Sequence, residues 1–249
     1  EDARTASREL DLTLTTRDRS KEKDDAARVP MCGVPYHSSE AYIARLIARG
    51  YKVAICDQME DPALAKGLVK REVTRLVTPG AVTESSMLEE SKNNYYACVF
   101  AENGSFGVSF CDISTGALCA TCFTGGAAEE SVCSELGAFS PAEVLLGGEA
   151  LHAELLKNTL RERLRCCVDT ATDEQFEEDM AAAALRVQLG QTPDSLGMTD
   201  YPCAVRAVGA LLRQLRRLQK NDLPQVRALE FYMSGKFMGL DLTARRNLE

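Results

Sequence analysis

No stretch of this 249-residue chain stays apolar for long. Its apolar runs, such as Ala181–Leu185, fall far short of the roughly 20 residues a membrane-spanning helix needs. The opening Glu1-Asp2-Ala3-Arg4 has neither a cationic segment leading into an apolar run nor a small-residue cleavage site, so a secretory leader is not expected. Histidine is nearly absent. Neither His37 nor His152 has the nearby Ser, Cys or carboxylate arrangement that would mark a catalytic triad, and His37 reads as a turn or core residue. A phosphate-binding loop is also missing. Gly235-Lys236 has Glu230 where the leading glycine is required, and Phe237 where Ser or Thr should follow the lysine. These absences argue against a secreted, membrane-spanning or nucleotide-binding chain and leave binding and scaffolding as the leading classes.

Ten cysteines are present, but their placement is that of small hydrophobes rather than ligands. Cys56, Cys98 and Cys111 sit inside apolar strand-like runs. The single C-x-x-C, Cys119 to Cys122, lies in a strand-like A-L-C-A-T-C-F, where residues three apart point to opposite faces. No second C-x-x-C accompanies it, so neither zinc nor a disulfide framework is expected, and free thiols point to a reducing cytoplasm. The net charge of −8 is unevenly spread. Residues 1–90 hold 14 basic and 16 acidic side chains, residues 91–197 hold 6 and 16, and residues 198–249 hold 9 and 5. The acidity belongs to the middle segment, which is thereby a poor candidate for adhesion to nucleic acid.

With 45% apolar residues the chain can bury a real core, and the pattern divides it in three. Residues 1–90 read as a small mixed α/β unit. It comprises a helix over 2–10, a short strand over 12–15, a charged loop from Arg17 to Arg28, and a helix after Ser38–Ser39 with Tyr42, Ile43, Leu46 and Ile47 on one face. Gly50 stops that helix; a buried-type strand Val53–Cys56 and a second strand from about Glu72 to Val77 follow. Residues 91–197 open with three strand-like runs, Tyr95–Ala101, Phe106–Ile113 and Ala117–Phe123, separated by hairpin-type turns, and continue as alternating helix and strand. That order is the pattern of a ribonuclease-H-like layered domain. Residues 198–249 turn helical and basic, with Val205, Val208, Leu211, Leu212, Leu215 and Leu218 at helical spacing. They read as the start of a further helical domain that stops in mid-element.

Two places carry candidate chemistry. Asp112, at the end of a strand, stands where a nuclease of the layered class would hold a metal, with Glu143 and Asp169 at later strand ends. A lone aspartate before Ile113-Ser114-Thr115-Gly116 is more simply a turn residue. Lys66, Lys70, Arg71 and Arg75 cluster within ten residues, and such a group either pairs with phosphates or forms a solvated face.

The block P-M-C-G-V-P-Y-H-S-S-E-A-Y, then A-I-C-D-Q-M-E-D-P, then V-T-R-L-V-T-P-G-A-V, between Pro30 and Val82, closely resembles the MutS mismatch-repair family, and the resemblance extends to F-M-G-L-D-L-T-A-R-R-N-L-E at the end. It implies a mismatch-recognition domain over 1–90, a connector domain over 91–197 and the start of a core or lever domain over 198–249. It further implies that Met31 and Gly33 lie near the minor groove, with basic residues on phosphates. The family reads a mispair with a phenylalanine and glutamate from a G-D-F-Y-E-like motif, which would lie before Glu1. The ATPase with its ATP and Mg2+, and the homodimer surface, would lie beyond Glu249. For this stretch the resemblance implies no catalysis and no cofactor. Its partners would be mismatched or looped duplex DNA and, through the connector, MutL, in a bacterial, nucleoid-associated setting without membrane contact. The alternatives are a paralogue of the family acting in recombination and a ribonuclease-H-like nuclease centred on Asp112.

Overall fold

The computed structural model describes residues 1–16, 29–61, 67, 69–89 and 91–233. The charged Arg17–Arg28 segment, Lys66, Gly235–Lys236 and the chain's last residues lie outside the described residues. The architecture is mixed α/β.

The first unit is small and thinly covered. Helix α1 (Asp2–Leu10) has Asp2 in its first turn and Arg8 in its last, each complementing the helix dipole, and buries only Leu10. Strands β1 (Thr15–Thr16) and β2 (Pro30–Met31) form a short antiparallel pair. Helix α2 (Ser39–Ile47) follows a 3-10 turn at Tyr36–Ser38. Strands β3 (Val53–Gln58) and β4 (Arg71–Val77) form an antiparallel hairpin whose register shifts between Ile55 and Cys56, leaving Thr74 as the extra residue. Ile47, Val77 and Val82 form its core, flanked by Ile43, Val53, Ile55, Met87 and Leu88.

The fully buried strand expected at Val53–Cys56 is corrected here: Ala54 and Cys56 are exposed. With only β4 beside it and α2 beneath it, β3 has one face to bury and no layer over the other. The shift at Thr74 likewise breaks the simple alternation expected for β4, where Val73 is exposed and Leu76 turns toward the second unit's core.

The second unit is built on a six-stranded sheet. Strands β5 (Tyr96–Glu102), β6 (Ser105–Asp112) and β7 (Ala117–Thr124) run antiparallel, joined by tight turns. After α3 (Ala128–Phe139), strand β8 (Glu143–Gly148) pairs parallel with β5. Helix α4 (Glu154–Asn158) then passes into one π-helical segment, Thr159–Leu164, and β9 (Cys167–Thr170) pairs parallel with β8. Helices α5 (Glu178–Leu189) and α6 (Pro202–Gln219) and strand β10 (Glu230–Phe231) complete the order β10-β7-β6-β5-β8-β9.

Helices cover both faces of this sheet, which is why β5 reads as a nearly continuous apolar run. Tyr96, Cys98 and Phe100 point into a core shared with Ala181, Leu185, Leu211 and Leu215 of α5 and α6. Ala97, Val99 and Ala101 point the other way, toward Val132, Leu136, Leu156 and Leu160. The same alternation separates the C-x-x-C pair, since Cys122 joins the first core and Cys119 packs against the second.

The helix expected to open a separate helical domain at 198 lies instead across β5 and β6. A Cβ added at Gly107 would sit 2.1 Å from the backbone of Cys203, so helix and sheet approach at a distance only glycine permits. Leu211, Leu212 and Leu215 are wholly buried there, and β10 pairs parallel with β7. The amphipathic stripe read from the sequence is correct in period, and the surface it packs on is the preceding sheet.

Candidate nucleic-acid interface

The basic residues near the hairpin have separate fates. Lys70 is exposed just before β4 and pairs with Glu72 at 2.6 Å, a contact that raises the lysine's proton affinity and lowers that of the glutamate. Both groups are exposed, so the pair can exchange for solvent or another anion. Arg71 is exposed opposite Gln58. Arg75 differs: its guanidinium is committed to Glu84 in a close, largely buried ion pair. Burial alone would push the Glu84 carboxyl upward, but hydrogen bonds from Arg75 and from the backbone outweigh it and hold the group below the usual carboxylate range. Of the four basic candidates, Lys70 and Arg71 face solvent, Arg75 ties β4 to the following turn, and Lys66 lies outside the described residues.

Met31 belongs to the β1–β2 ladder, and Gly33 lies two residues beyond it. Met31, on β2, is 43% exposed, and the hydroxyl of Thr15 donates to its carbonyl at 3.1 Å. Gly33 is exposed with open space where a side chain would stand. Val29 and Tyr36 flank them with most of their side chains in solvent, 77% and 94%. Pro30-Met31 and Pro35-Tyr36-His37 lay in view in the sequence, but no periodicity distinguishes an exposed tyrosine from a buried one.

Asp112 is a turn residue. Buried at the end of β6, it accepts the Ser114 N–H at 2.9 Å, the Ser114 hydroxyl at 2.6 Å and the Asn94 N–H at 3.2 Å. Glu143 and Asp169 do not converge on it; both face Lys52. Among the described residues no group of three or more His, Cys, Asp or Glu side chains is placed to hold a metal ion. The arrangement a two-metal nuclease requires is therefore not assembled around Asp112.

The second unit presents the opposite electrostatic face. A cleft of about 860 Å³ opens at the ends of β5 and β8, lined by Glu102, Glu149, Asp173, Glu178 and Asp179, with Arg206 against Glu102 at 3.0 Å. Such a mouth repels phosphate. His152, exposed, lies on its rim. No helix among the described residues is long and apolar enough to cross a membrane.

In sequence Glu143 and Asp169 stand out only as possible metal ligands, and Lys52, Gly80 and Gln219 carry no signal at all; together they join the two units. Lys52, just before β3, reaches Glu143 of β8 at 3.1 Å and Asp169 of β9 at 2.5 Å. The Gly80 N–H donates to Glu143 at 3.0 Å, Asn94 donates to the Pro79 carbonyl at 2.9 Å, and Gln219 of α6 donates to the Ala81 carbonyl at 2.7 Å.

Comparison with known proteins places both units. Residues 1–86 match the family description MutS domain I, and residues 94–227 match MutS domain II, the second match running through α6. The DNA mismatch repair protein MutS of Acetivibrio thermocellus is 42% identical over 248 residues, that of Pelotomaculum thermopropionicum 44% over 250, and that of Symbiobacterium thermophilum 42% over 250. In each case all of this chain is covered, and it spans 28% of the length of these curated relatives. With both of its units matched in order and its whole length aligned at this level of identity, the chain belongs to the MutS family of DNA mismatch-repair proteins.

Proposed function

We propose that this chain serves, within a mismatch-repair protein, as the part that lies along duplex DNA and ties that contact to a layered connector. The observation that carries the reading is the outward-facing pair Lys70 and Arg71 at the end of the β3–β4 hairpin, within the segment that matches MutS domain I. Phosphate contacts of this kind position a protein on DNA without reading sequence. Met31, exposed on β2, and Gly33, exposed two residues beyond it, are the candidates for the groove edge.

The sheet order β7-β6-β5-β8-β9, with three antiparallel strands followed by two parallel to the first, supports a ribonuclease-H-like connector. The burial of α6 against that sheet supports extending the connector past residue 197 to include the helix. Its acidic cleft favours contact with protein over nucleic acid, and docking of MutL on the connector fits that charge. Mispair reading, signalling through ATP and Mg2+, and homodimerisation are assigned to the full-length parent, in the bacterial cytoplasm at the nucleoid. This part acts as a binding scaffold without chemistry of its own.

A salt-controlled titration tests the reading. The chain is expected to bind a G·T duplex and a matched duplex equally, with dissociation constants in the range of about 10⁻⁶ to 10⁻⁴ M at physiological salt. Lys70→Gln combined with Arg71→Gln should weaken both alike. Clear preference for the mispair, or binding indifferent to the double substitution, overturns it.

A further inference from the structure

The chain buries a carboxylate where the two units meet. Glu143, the first residue of β8, has no exposed surface, yet groups from the first unit meet both its oxygens: Oε2 accepts the Gly80 N–H at 3.0 Å, and Oε1, which accepts no hydrogen bond, is ion-paired with the Lys52 amine at 3.1 Å. The same amine lies 2.5 Å from Asp169 of β9, bridging carboxylates on two adjacent parallel strands. Burial by itself would loosen the lysine's proton. The hydrogen bond to Asp169 and the charge of Glu143 more than reverse that, holding Lys52 above the ordinary lysine range and so cationic at neutral pH.

The fit is steric as well as electrostatic. A Cβ at Gly80 would lie 2.7 Å from that of Glu143 and 2.9 Å from the Tyr96 ring. Residues 79–81 are thus gripped from three sides, by Glu143, by Asn94 and by Gln219 of α6.

We propose that Lys52, Glu143 and Asp169 form a releasable latch that fixes the β3–β4 hairpin to the β8–β9 edge of the connector. A buried carboxylate is tolerable only while its cation and its N–H donor are in place, so the closed state is specific to one docking geometry. The groups that close it are also those water solvates best once they part. Lys52 and Asp169 each keep about a third of their side chains in solvent, 36% and 30%, giving water a point of entry. An interface of this composition opens at less cost than an apolar one of equal size. If Lys70 and Arg71 face DNA, a consequence that rests on the reading above, the latch sets the direction in which they are presented.

Hydrogen exchange of the whole chain, read by mass spectrometry on peptides covering 53–58 and 79–82, distinguishes a latch from a plain stabilising contact. Lys52→Met should speed exchange in both segments by about tenfold or more while peptides from β5, β6 and α6 stay within about twofold. Lys52→Arg should retain most of the protection. Asp169→Asn, at the β9 end of the bridge, should give a smaller change in the same two segments and covers the case in which Lys52→Met folds poorly. Lys157→Met, which removes an exposed pair with Glu154 elsewhere on the connector, serves as the control. Unchanged exchange at 79–82, or equal acceleration across the entire sheet, overturns the latch. DNA affinity plays no part in this readout, so the latch and the DNA-contact reading stand or fall separately.

Discussion

Strands β3 and β5 begin from similar material, Val-Ala-Ile-Cys in one and Tyr-Ala-Cys-Val-Phe in the other, and end in opposite environments. Every residue of β5 from Tyr96 to Ala101 is buried, because helices close over both faces of the six-stranded sheet. In β3 only alternate residues find partial cover, since the hairpin has two strands and one helix beneath it. Apolar character is thus a property of the strand, while burial belongs to its neighbours. The electrostatic contrast runs alongside: the sparsely covered unit turns Lys70 and Arg71 outward, while the well-covered unit lines its cleft with carboxylates. A unit with little core of its own depends on its neighbour for rigidity, which the Lys52 bridge and the hydrogen bonds at Pro79, Gly80 and Ala81 provide.

The sharpest test of this contrast is truncation of one core side chain in each unit. Leu136→Ala, wholly buried beneath the sheet, should lower stability by about 2–5 kcal/mol in urea unfolding, whereas Val53→Ala in the half-covered hairpin should cost about 1 kcal/mol or less. Equal losses would mean that the hairpin is as well packed as the sheet. Alkylation comes next. Burial pushes the Cys119 thiol up to about 12 and raises Cys98 and Cys111 further, so these should resist maleimide at pH 8, while exposed Cys56 reacts in the native protein. Modification of Cys98 as fast as Cys56, followed by peptide mapping, would show that the sheet opens as readily as the hairpin.

A smaller effect is expected from acid. Glu84 titrates lower in the folded chain than the ordinary 4.5, so its pairing with Arg75 contributes stability above that value, and the contribution is lost as pH falls through the lowered folded value. Exchange of β4 amides should therefore rise more steeply below about pH 4.5 in the parent than in Arg75→Met, where the linkage is removed. Identical profiles would show that the ion pair does not hold the strand. The smallest change is in salt dependence: losing Lys70 and Arg71 should reduce the slope of log affinity against log salt by about 2, one phosphate contact each. Substitution of Arg161 on the second unit, exposed beside Glu162, should leave that slope unaltered.

Much of the fold was legible because its signals are local. Helical spacing of Val205, Val208, Leu211 and Leu215 locates α6, and the turn chemistry of Asn103-Gly104 separates β5 from β6. What covers α6 was not legible, since an apolar stripe carries no address; Gly107, which admits the helix onto the sheet, looks in sequence like any strand glycine. For the candidate site, the basic cluster was visible as composition, yet its division into exposed Lys70 and Arg71 and committed Arg75 depends on Glu84 folding back nine residues later. Asp112 was legible as a turn residue because its partner Ser114 is two positions away.

By itself the sequence determined the family, through the ordered blocks between Pro30 and Val82, and the positions of most helices and strands, because periodicity and turn chemistry act between residues a few positions apart. Only the tertiary structure decided which apolar strand is buried, which arginine is exposed, and that Lys52 meets Glu143 and Asp169 more than ninety residues away. Those outcomes depend on strand order and on desolvation at a junction assembled from both units, and neither quantity exists until the chain has folded.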